Sequence, residues 1–223
     1  QAFATSQDCG FIIANDPDAD RLAVAEWDAA NSKWKVFSGN NLGVLLAHWQ
    51  IMQYKKGPAN VNGAAVLTTV VSSRMLKAIA AAEGITYSDT LTGFKWIGNR
   101  ALELKAQGMS VLFSYEEALG YCTGDILCDK DGVTAACVFA EMKLHLASLS
   151  TPLTVQDHLQ NLYGQYGEFV SFNSYVFCHD KPLIADIFAR LRKGNGVDNY
   201  WAECAGCTIT SIHDITNGYD SST

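Results

Sequence analysis

Three aspartates at alternate positions, Asp16, Asp18 and Asp20, with Arg21 directly after them, are the residues of this 223-residue chain best suited by type and spacing to do chemistry. They stand in the stretch Asn15-Asp16-Pro17-Asp18-Ala19-Asp20-Arg21. On a regular strand, carboxylates at alternate positions would share one face only if the strand stayed straight, and neighbours would splay apart. Pro17 fixes its own φ and lacks an N–H, so the stretch reads as a curved loop on which the three carboxylates can converge. Like charges packed so closely repel, and burial raises the cost. A divalent cation relieves both penalties. Oxygen-only ligands suit one hard ion such as Mg2+, which keeps water or phosphate in its remaining positions. The elements that must hold this loop flank it. Phe11-Ile12-Ile13-Ala14 leads in and Leu22-Ala23-Val24-Ala25 leads out, so strands are expected at 9–14 and 22–27.

Other readings of the loop compete. An EF-hand would place Gly after the third acid and Glu near its end, where Arg21 and Trp27 stand, so it is set aside. A dehalogenase-type phosphatase would use Asp16 as its nucleophile, although a third Asp followed by Arg is not its usual signature. A solvated acidic turn, or a non-catalytic metal-stabilised binding module, also stays open.

Composition bounds the rest. The chain is 48% hydrophobic, enough for a substantial core in one or two domains. Its net charge of -7, with no basic stripe, argues against nucleic acid and an anionic membrane as partners. No apolar run has the length of a transmembrane helix. Seven cysteines, an odd number with no secretory pattern, favour reduced thiols and a cytoplasmic location. Cys204-Ala205-Gly206-Cys207 is a lone C-x-x-C without a second pair, a weak signal for zinc or redox chemistry. The chain opens on Gln1 and closes on Thr223 as if in mid-flow, so both ends read as cut.

Along the chain, Lys33-Trp34-Lys35-Val36-Phe37 alternates as a third strand, and Ser38-Gly39-Asn40-Asn41 caps a helix running through Leu42, Leu45, Leu46, Trp49 and Met52. A domain boundary is expected near 38–41. The uncharged, β-branched run 64–71 suits a central parallel strand. Ser72-Ser73 then caps a helix from Arg74, and a short strand follows at 85–88. The stretch 90–100 reads as a loop around Thr92-Gly93-Phe94-Lys95, leading to a helix through Ala101 and Leu104. Lys95 there is either a solvated charge or a group for anion binding or proton relay. The strand Ser110-Val111-Leu112-Phe113 ends in Tyr115-Glu116-Glu117-Ala118-Leu119-Gly120, and carboxylates at such a strand end accept well from sugar hydroxyls. Asp129-Lys130-Asp131-Gly132 reads as the capped start of a helix through Val133, Phe139 and Met142. A helix from Thr154 to near Gly164, a strand at 168–177, a helix at 180–193 and a strand at 207–212 complete the expectation.

Taken together, these loops resemble the α-D-phosphohexomutase superfamily, in particular its phosphoglucomutase/phosphopentomutase branch. The stretch 14–21 is similar to that family's magnesium loop, and Leu91-Thr92-Gly93-Phe94-Lys95-Trp96-Ile97-Gly98-Asn99 to the loop that closes on the sugar phosphate. Tyr115-Glu116-Glu117-Ala118-Leu119-Gly120 is similar to its sugar-binding loop. The resemblance implies an α/β fold of mixed sheets flanked by helices, multi-domain and truncated at both ends. It implies the end of the metal-loop domain at 1–40, a sugar-binding domain at 41–165, and a linker with the start of a phosphate-binding domain at 166–223. It implies Asp16, Asp18 and Asp20 as magnesium ligands, Arg21 and Lys95 as catalytic groups, and Thr92, Gly93, Lys95, Glu116 and Glu117 as substrate contacts. The expected partner is a phosphorylated sugar, with glucose 1,6-bisphosphate as activator and intermediate. Ala118 stands where hexose-specific members carry Ser, which points to tolerance of pentose phosphates, since a site relieved of one polar group discriminates less. The family's phosphoserine loop and its terminal phosphate loop have no match here, so this chain alone is expected to be inactive.

Overall fold

The computed structural model describes residues 1–223 apart from 59–60, 125, 173, 175, 194–198 and 222–223. After a short helix, α1 (Ala2–Ser6), come β1 (Phe11–Ala14), β2 (Ala23–Asp28) and β3 (Lys33–Val36). They form an antiparallel sheet in that order, and the aspartate loop is the connection between β1 and β2. The register sets Trp27 opposite Trp34, with ring centroids 5.6 Å apart and edge to face. Such a pair stiffens the β2–β3 hairpin, whose first strand leads out of the aspartate loop.

Helix α2 (Gly39–Lys56) begins where its capping residues predict. The Ser38 hydroxyl accepts from the Asn41 N–H at 3.2 Å, and the Asn41 side chain accepts in return from the Ser38 N–H at 3.3 Å. Then come β4 (Ala64–Thr69), α3 (Met75–Glu83), β5 (Thr86–Thr90), α4 (Phe94–Ala106), β6 (Ser110–Glu116), β7 (Gly120–Thr123), α5 (Gly132–Ser148) and α6 (Val155–Tyr166). The sheet order is β5-β4-β6-β7, with β4 parallel to both β5 and β6, and β7 antiparallel at the edge. Alternation along β4 divides the core. Ala64 and Val66 face the layer built by α2, α3, α5 and α6, whereas Ala65 and Leu67 face α4 on the other side. The result is a three-layer α/β/α arrangement in which loops after β4, β5 and β6 gather at one end, where open α/β sheets place ligands.

Two local expectations are corrected. Lys95 does not lie in an extended loop. Gly93, at φ 105°, turns the chain so sharply that α4 starts at Phe94, and Phe94, Ile97, Ala101 and Leu104 supply one buried helical stripe from that first residue. The helix after β4 is not capped by Ser72 or Ser73 at its N-cap position, which is Arg74; Ser73 instead accepts the Met75 N–H at 3.2 Å.

Packing of α6 on α2 buries a histidine pair. His48 and His158 have ring centroids 5.6 Å apart, and Tyr166 lies 5.8 Å from His48. Burial, then the His158 charge, holds the His48 imidazole down from 6.5 to about 4, with Glu83 opposing and Lys55 reinforcing the shift. Burial likewise lowers His158. Both rings are therefore neutral when folded, while the unfolded chain takes up protons near about 6.5. Stability should be full above that pH and fall as pH drops towards 4, by up to about 1.4 kcal/mol per pH unit for His48. Urea unfolding between about pH 7 and pH 5 should show this slope, and His48→Phe should flatten it; a wild-type midpoint independent of pH would contradict the neutral pair.

The chain's second compact unit is Phe172–Thr223, the first being Gln1–Ser171. The second holds α7 (Lys181–Arg192) and two small hairpins, β8 (Glu203–Cys204) with β9 (Cys207–Thr208), and β10 (His213–Asp214) with β11 (Tyr219–Asp220). Arg192 and Tyr200 both reach the Asp214 carboxylate, at 2.7 Å and 2.9 Å. The C-x-x-C is the turn of the first hairpin, Cys204 facing Cys207 across Ala205 (φ 48°) and Gly206 (φ 78°). The strand expected at 168–177 is absent among the described residues, Asn173 and Tyr175 lying outside them, and the one expected at 207–212 shrinks to β9. An alternating pattern supplies a face but a strand also needs a paired neighbour. No helix of the described residues is long and apolar enough to cross a membrane.

Candidate functional site

The aspartate loop is folded by bonds within itself and by two other segments. The Ala19 N–H donates to the Asp16 carbonyl at 3.0 Å, which closes a turn and puts Ala19 at φ 58°. The Arg21 N–H donates to Asp16 Oδ1 at 3.1 Å, and Asn15 Nδ2 donates to the Arg21 carbonyl at 2.6 Å. From outside, the Gly132 N–H at the start of α5 donates to the Ala19 carbonyl at 3.0 Å. The Leu22 N–H donates to the Leu119 carbonyl at 3.1 Å, and Arg21 bridges Gly120. The turn between β6 and β7 is thereby sewn to the aspartate loop.

The loop brings one carboxylate oxygen from each of Asp16, Asp18 and Asp20 within 4.8 Å of one another. Arg21 Nε stands 3.8 Å from both Asp16 and Asp20, and the guanidinium is half exposed. Burial pushes the Asp16 carboxyl up, but the bonds it accepts from the loop and the Arg21 charge outweigh that and hold it below the usual range. Asp20 Oδ1 is buried with no hydrogen-bond donor. A buried carboxylate oxygen without a donor, beside two further carboxylates, fits a hard divalent cation.

A second cation meets the cluster at Asp20. Lys130 Nζ lies 2.9 Å from Asp20 Oδ2 and 5.8 Å from the centroid of the Phe94 ring. Asp131, next in the chain, caps α5 by accepting from Val133 and Thr134, as its sequence position suggests. Lys130 itself was not foreseen as a site residue. The available signal was its position just before a helix N-terminus, where a cation is unfavourable unless something else holds it. Asn15 was missed as well; a side-chain amide spanning six residues of a loop leaves no periodic trace.

Of the expected sugar contacts, Glu116 reaches this cluster. Its Oε1 and the Lys130 Cδ each lie 3.0 Å from where a Cβ on Gly120 would stand, so the two side chains meet over that glycine. Burial raises the Glu116 carboxyl, with Lys130 opposing and Glu117 adding to the shift. Glu117 points elsewhere, its Oε2 accepting from the Thr69 and Ser72 hydroxyls at 3.1 Å each. Thr92 is exposed and Gly93 half-buried just before α4, and Phe94 links that turn to Lys130. Lys95 is exposed on the first turn of α4, its Nζ 5.3 Å from the Trp96 ring centroid. The structure thus gathers Asp16, Asp18, Asp20, Arg21, Glu116 and Lys130, and leaves Lys95 and Glu117 to other neighbours.

Residues 38–166 match the family described as Phosphoglucomutase/phosphomannomutase, alpha/beta/alpha domain III. The chain belongs to the phosphoglucomutase/phosphomannomutase family. Among curated relatives, a phosphopentomutase of Mus musculus is 45% identical over 214 residues, covering 95% of this chain and 34% of that protein. A glucose 1,6-bisphosphate synthase of Homo sapiens is 42% identical over 222 residues, covering 98% and 35%. A phosphoribomutase of Saccharomyces cerevisiae is 38% identical over 228 residues, covering 99% and 36%. The chain therefore spans about a third of the length of these relatives. Among solved structures, the Paramecium phosphoprotein pp63/parafusin, a phosphoglucomutase in its open form, superposes with TM-score 0.54 at 25% identity, over 72% of this chain and 25% of that one. The three-layer arrangement of β4 to β7 and its helices is the part of the family fold matched at residues 38–166.

Proposed function

We propose that this chain is the metal- and sugar-binding portion of a magnesium-dependent phosphosugar mutase. It would interconvert glucose 1-phosphate and glucose 6-phosphate, and pentose 1- and 5-phosphates, through a phosphoserine and a bisphosphorylated sugar. The observation that carries the reading is the convergence of three aspartate oxygens within 4.8 Å, next to Arg21, Lys130 and Glu116. Similarity to a phosphopentomutase, a phosphoribomutase and a glucose 1,6-bisphosphate synthase supports it. A magnesium ion held by Asp16, Asp18 and Asp20 would supply charge to offset that of the transferring phosphoryl group. Arg21, held between two of those carboxylates yet half exposed, would clamp phosphoryl oxygens. Glu116 would accept from sugar hydroxyls, and Lys130 would keep Asp20 in place. The turn at Thr92-Gly93, with Lys95 behind it, would approach the sugar phosphate from α4. Closing that turn over the sugar would exclude water, without which transfer to the second hydroxyl becomes hydrolysis. The expected division at residues 1–40, 41–165 and 166–223 and a cytoplasmic setting belong to the same proposal, the latter supported by seven free thiols.

The test is a coupled assay of the complete protein with magnesium and a trace of glucose 1,6-bisphosphate, offering glucose 1-phosphate, ribose 1-phosphate and mannose 1-phosphate side by side. Isomerisation without free phosphate is expected, with ribose 1-phosphate accepted alongside glucose 1-phosphate because Ala118 offers no hydroxyl; the ratio of rates sets the preference. The isolated 223-residue chain should give no turnover. Release of phosphate with no isomer, abolished in Asp16→Asn together with a covalent aspartyl phosphate, would replace the mutase with a phosphatase.

A further inference from the structure

Adjacent glutamates at the end of β6 face opposite ways, and the second of them has no work in the site described above. Glu117 Oε2 accepts from two buried hydroxyls, Thr69 at the end of β4 and Ser72 just beyond it, at 3.1 Å each. Those hydroxyls are themselves 2.8 Å apart, so the three groups form a closed triangle. The backbone of Glu117 is equally confined. A Cβ on Gly39, at the first turn of α2, would stand 1.9 Å from the Glu117 carbonyl oxygen, so that helix lies directly against the turn. Two residues on, Leu119 sits at φ 68° and its carbonyl receives the Leu22 N–H that follows the aspartate loop. The turn 116–120 is thus pinned on one side to β4 and on the other to the aspartate loop, with Glu116 projecting between the two.

We propose that Glu117 is a positioning residue: bound to Thr69 and Ser72, it anchors the turn so that the Glu116 carboxylate is presented towards Lys130 and the aspartate loop. The consequence for sugar recognition rests on the mutase reading, whereas the anchoring itself does not. A carboxylate accepting two hydroxyls makes two charge-assisted bonds, stronger than neutral ones, and a glutamine in its place retains one oxygen able to accept both. Removing either side of the triangle leaves the other without its partner, so the two sides should act as one unit.

Two measurements test this. The first is hydrogen exchange on the whole chain, read at the Leu22 amide. Glu117→Ala and the double variant Thr69→Val/Ser72→Ala should each speed exchange there about tenfold or more, the combined triple variant no further, and Glu117→Gln should stay near wild type. The second is steady-state kinetics of the complete protein with a sugar 1-phosphate. The same variants should raise KM about tenfold or more, again without adding in the triple variant, and Glu117→Gln should largely restore it. If Thr69→Val/Ser72→Ala leaves both exchange and KM at wild-type values while Glu117→Gln raises KM, the carboxylate meets the sugar itself and the proposal is overturned. If Thr69→Val/Ser72→Ala fails to fold, Glu117→Ala against Glu117→Gln carries the comparison: equal effects of the two would overturn the anchor. If the wild-type protein isomerises no sugar phosphate, the mutase reading fails, and the Leu22 exchange still decides the anchor.

Discussion

Gly132→Ala is expected to weaken the magnesium binding proposed for Asp16, Asp18 and Asp20 by about 10–100-fold, the range for loss of groups that orient metal ligands. Gly132 is the first residue of α5 and its N–H holds the Ala19 carbonyl. An added Cβ would stand 2.2 Å from the Arg21 carbonyl oxygen, 2.7 Å from its carbon and 2.5 Å from Asn15 Nδ2. Two of those atoms are backbone and cannot rotate away. The third belongs to the amide that closes the aspartate loop by donating to Arg21 at 2.6 Å. The start of α5 must therefore withdraw, taking with it the bond to Ala19 and the Lys130 side chain that meets Asp20. Helix propensity alone would favour alanine over glycine by about 1 kcal/mol, so a loss here is opposite in sign to the propensity effect. Gly164→Ala, in the last turn of α6 with nothing within 4 Å of its Cβ, is the control and should leave magnesium binding alone. Calorimetric titration of magnesium into the two variants checks this. Equal affinities would mean that α5 does not position the loop.

That dependence on residue 132 marks the limit of what the sequence showed. The aspartate loop was legible because Pro17 and the flanking apolar runs are local signals, and the strands at 11–14 and 23–28 fall within a residue or two of the expected ones. The central strand was legible from its β-branched, uncharged run, and α2 and α6 from their caps. What was not legible depends on contacts distant in the chain. Lys130 is hidden in the sequence because Asp131 beside it, as the N-cap of α5, gives Asp129-Lys130-Asp131-Gly132 a sufficient local reason. Glu116 and Glu117 are chemically identical, and only the turn at Leu119, with Thr69 and Ser72 waiting 48 and 45 residues away from Glu117, separates their directions. Strand β7 is four residues long and opens on glycine, too short for its alternation to stand out. At Lys95 the sequence suggests a loop because the stripe beginning at Phe94 is interrupted by the exposed Trp96.

The largest loss of stability is expected from Glu26→Ala, about 3–5 kcal/mol, or a melting temperature lower by about 10 °C for a chain of this size. Glu26 lies on β2, with only 5% of its surface exposed. Its Oε1 accepts from the Val155 N–H at 3.0 Å and pairs with Lys143 Nζ at 2.8 Å, while Oε2 accepts from the Gln156 N–H at 3.1 Å. The remaining donors at that end of α6 are met locally, Asp157 N–H by the Thr154 hydroxyl at 3.0 Å and Thr154 N–H by the Asp157 carboxylate at 3.1 Å. All four free N–H groups of the helix start are thus satisfied, two of them by a carboxylate about 130 residues away in sequence that also suits the positive end of the helix dipole. Alanine at 26 would orphan both amides and leave the Lys143 ammonium, only 20% exposed, without this partner. Lys143→Met should be milder, because Glu26 keeps two amides and the dipole. Glu26→Gln should fall between, since it retains one accepting oxygen but turns the other position into a donor facing donors. Urea unfolding of the three variants gives the order, and a loss below about 1 kcal/mol for Glu26→Ala would show that β2 and α6 are held together by their apolar contacts alone.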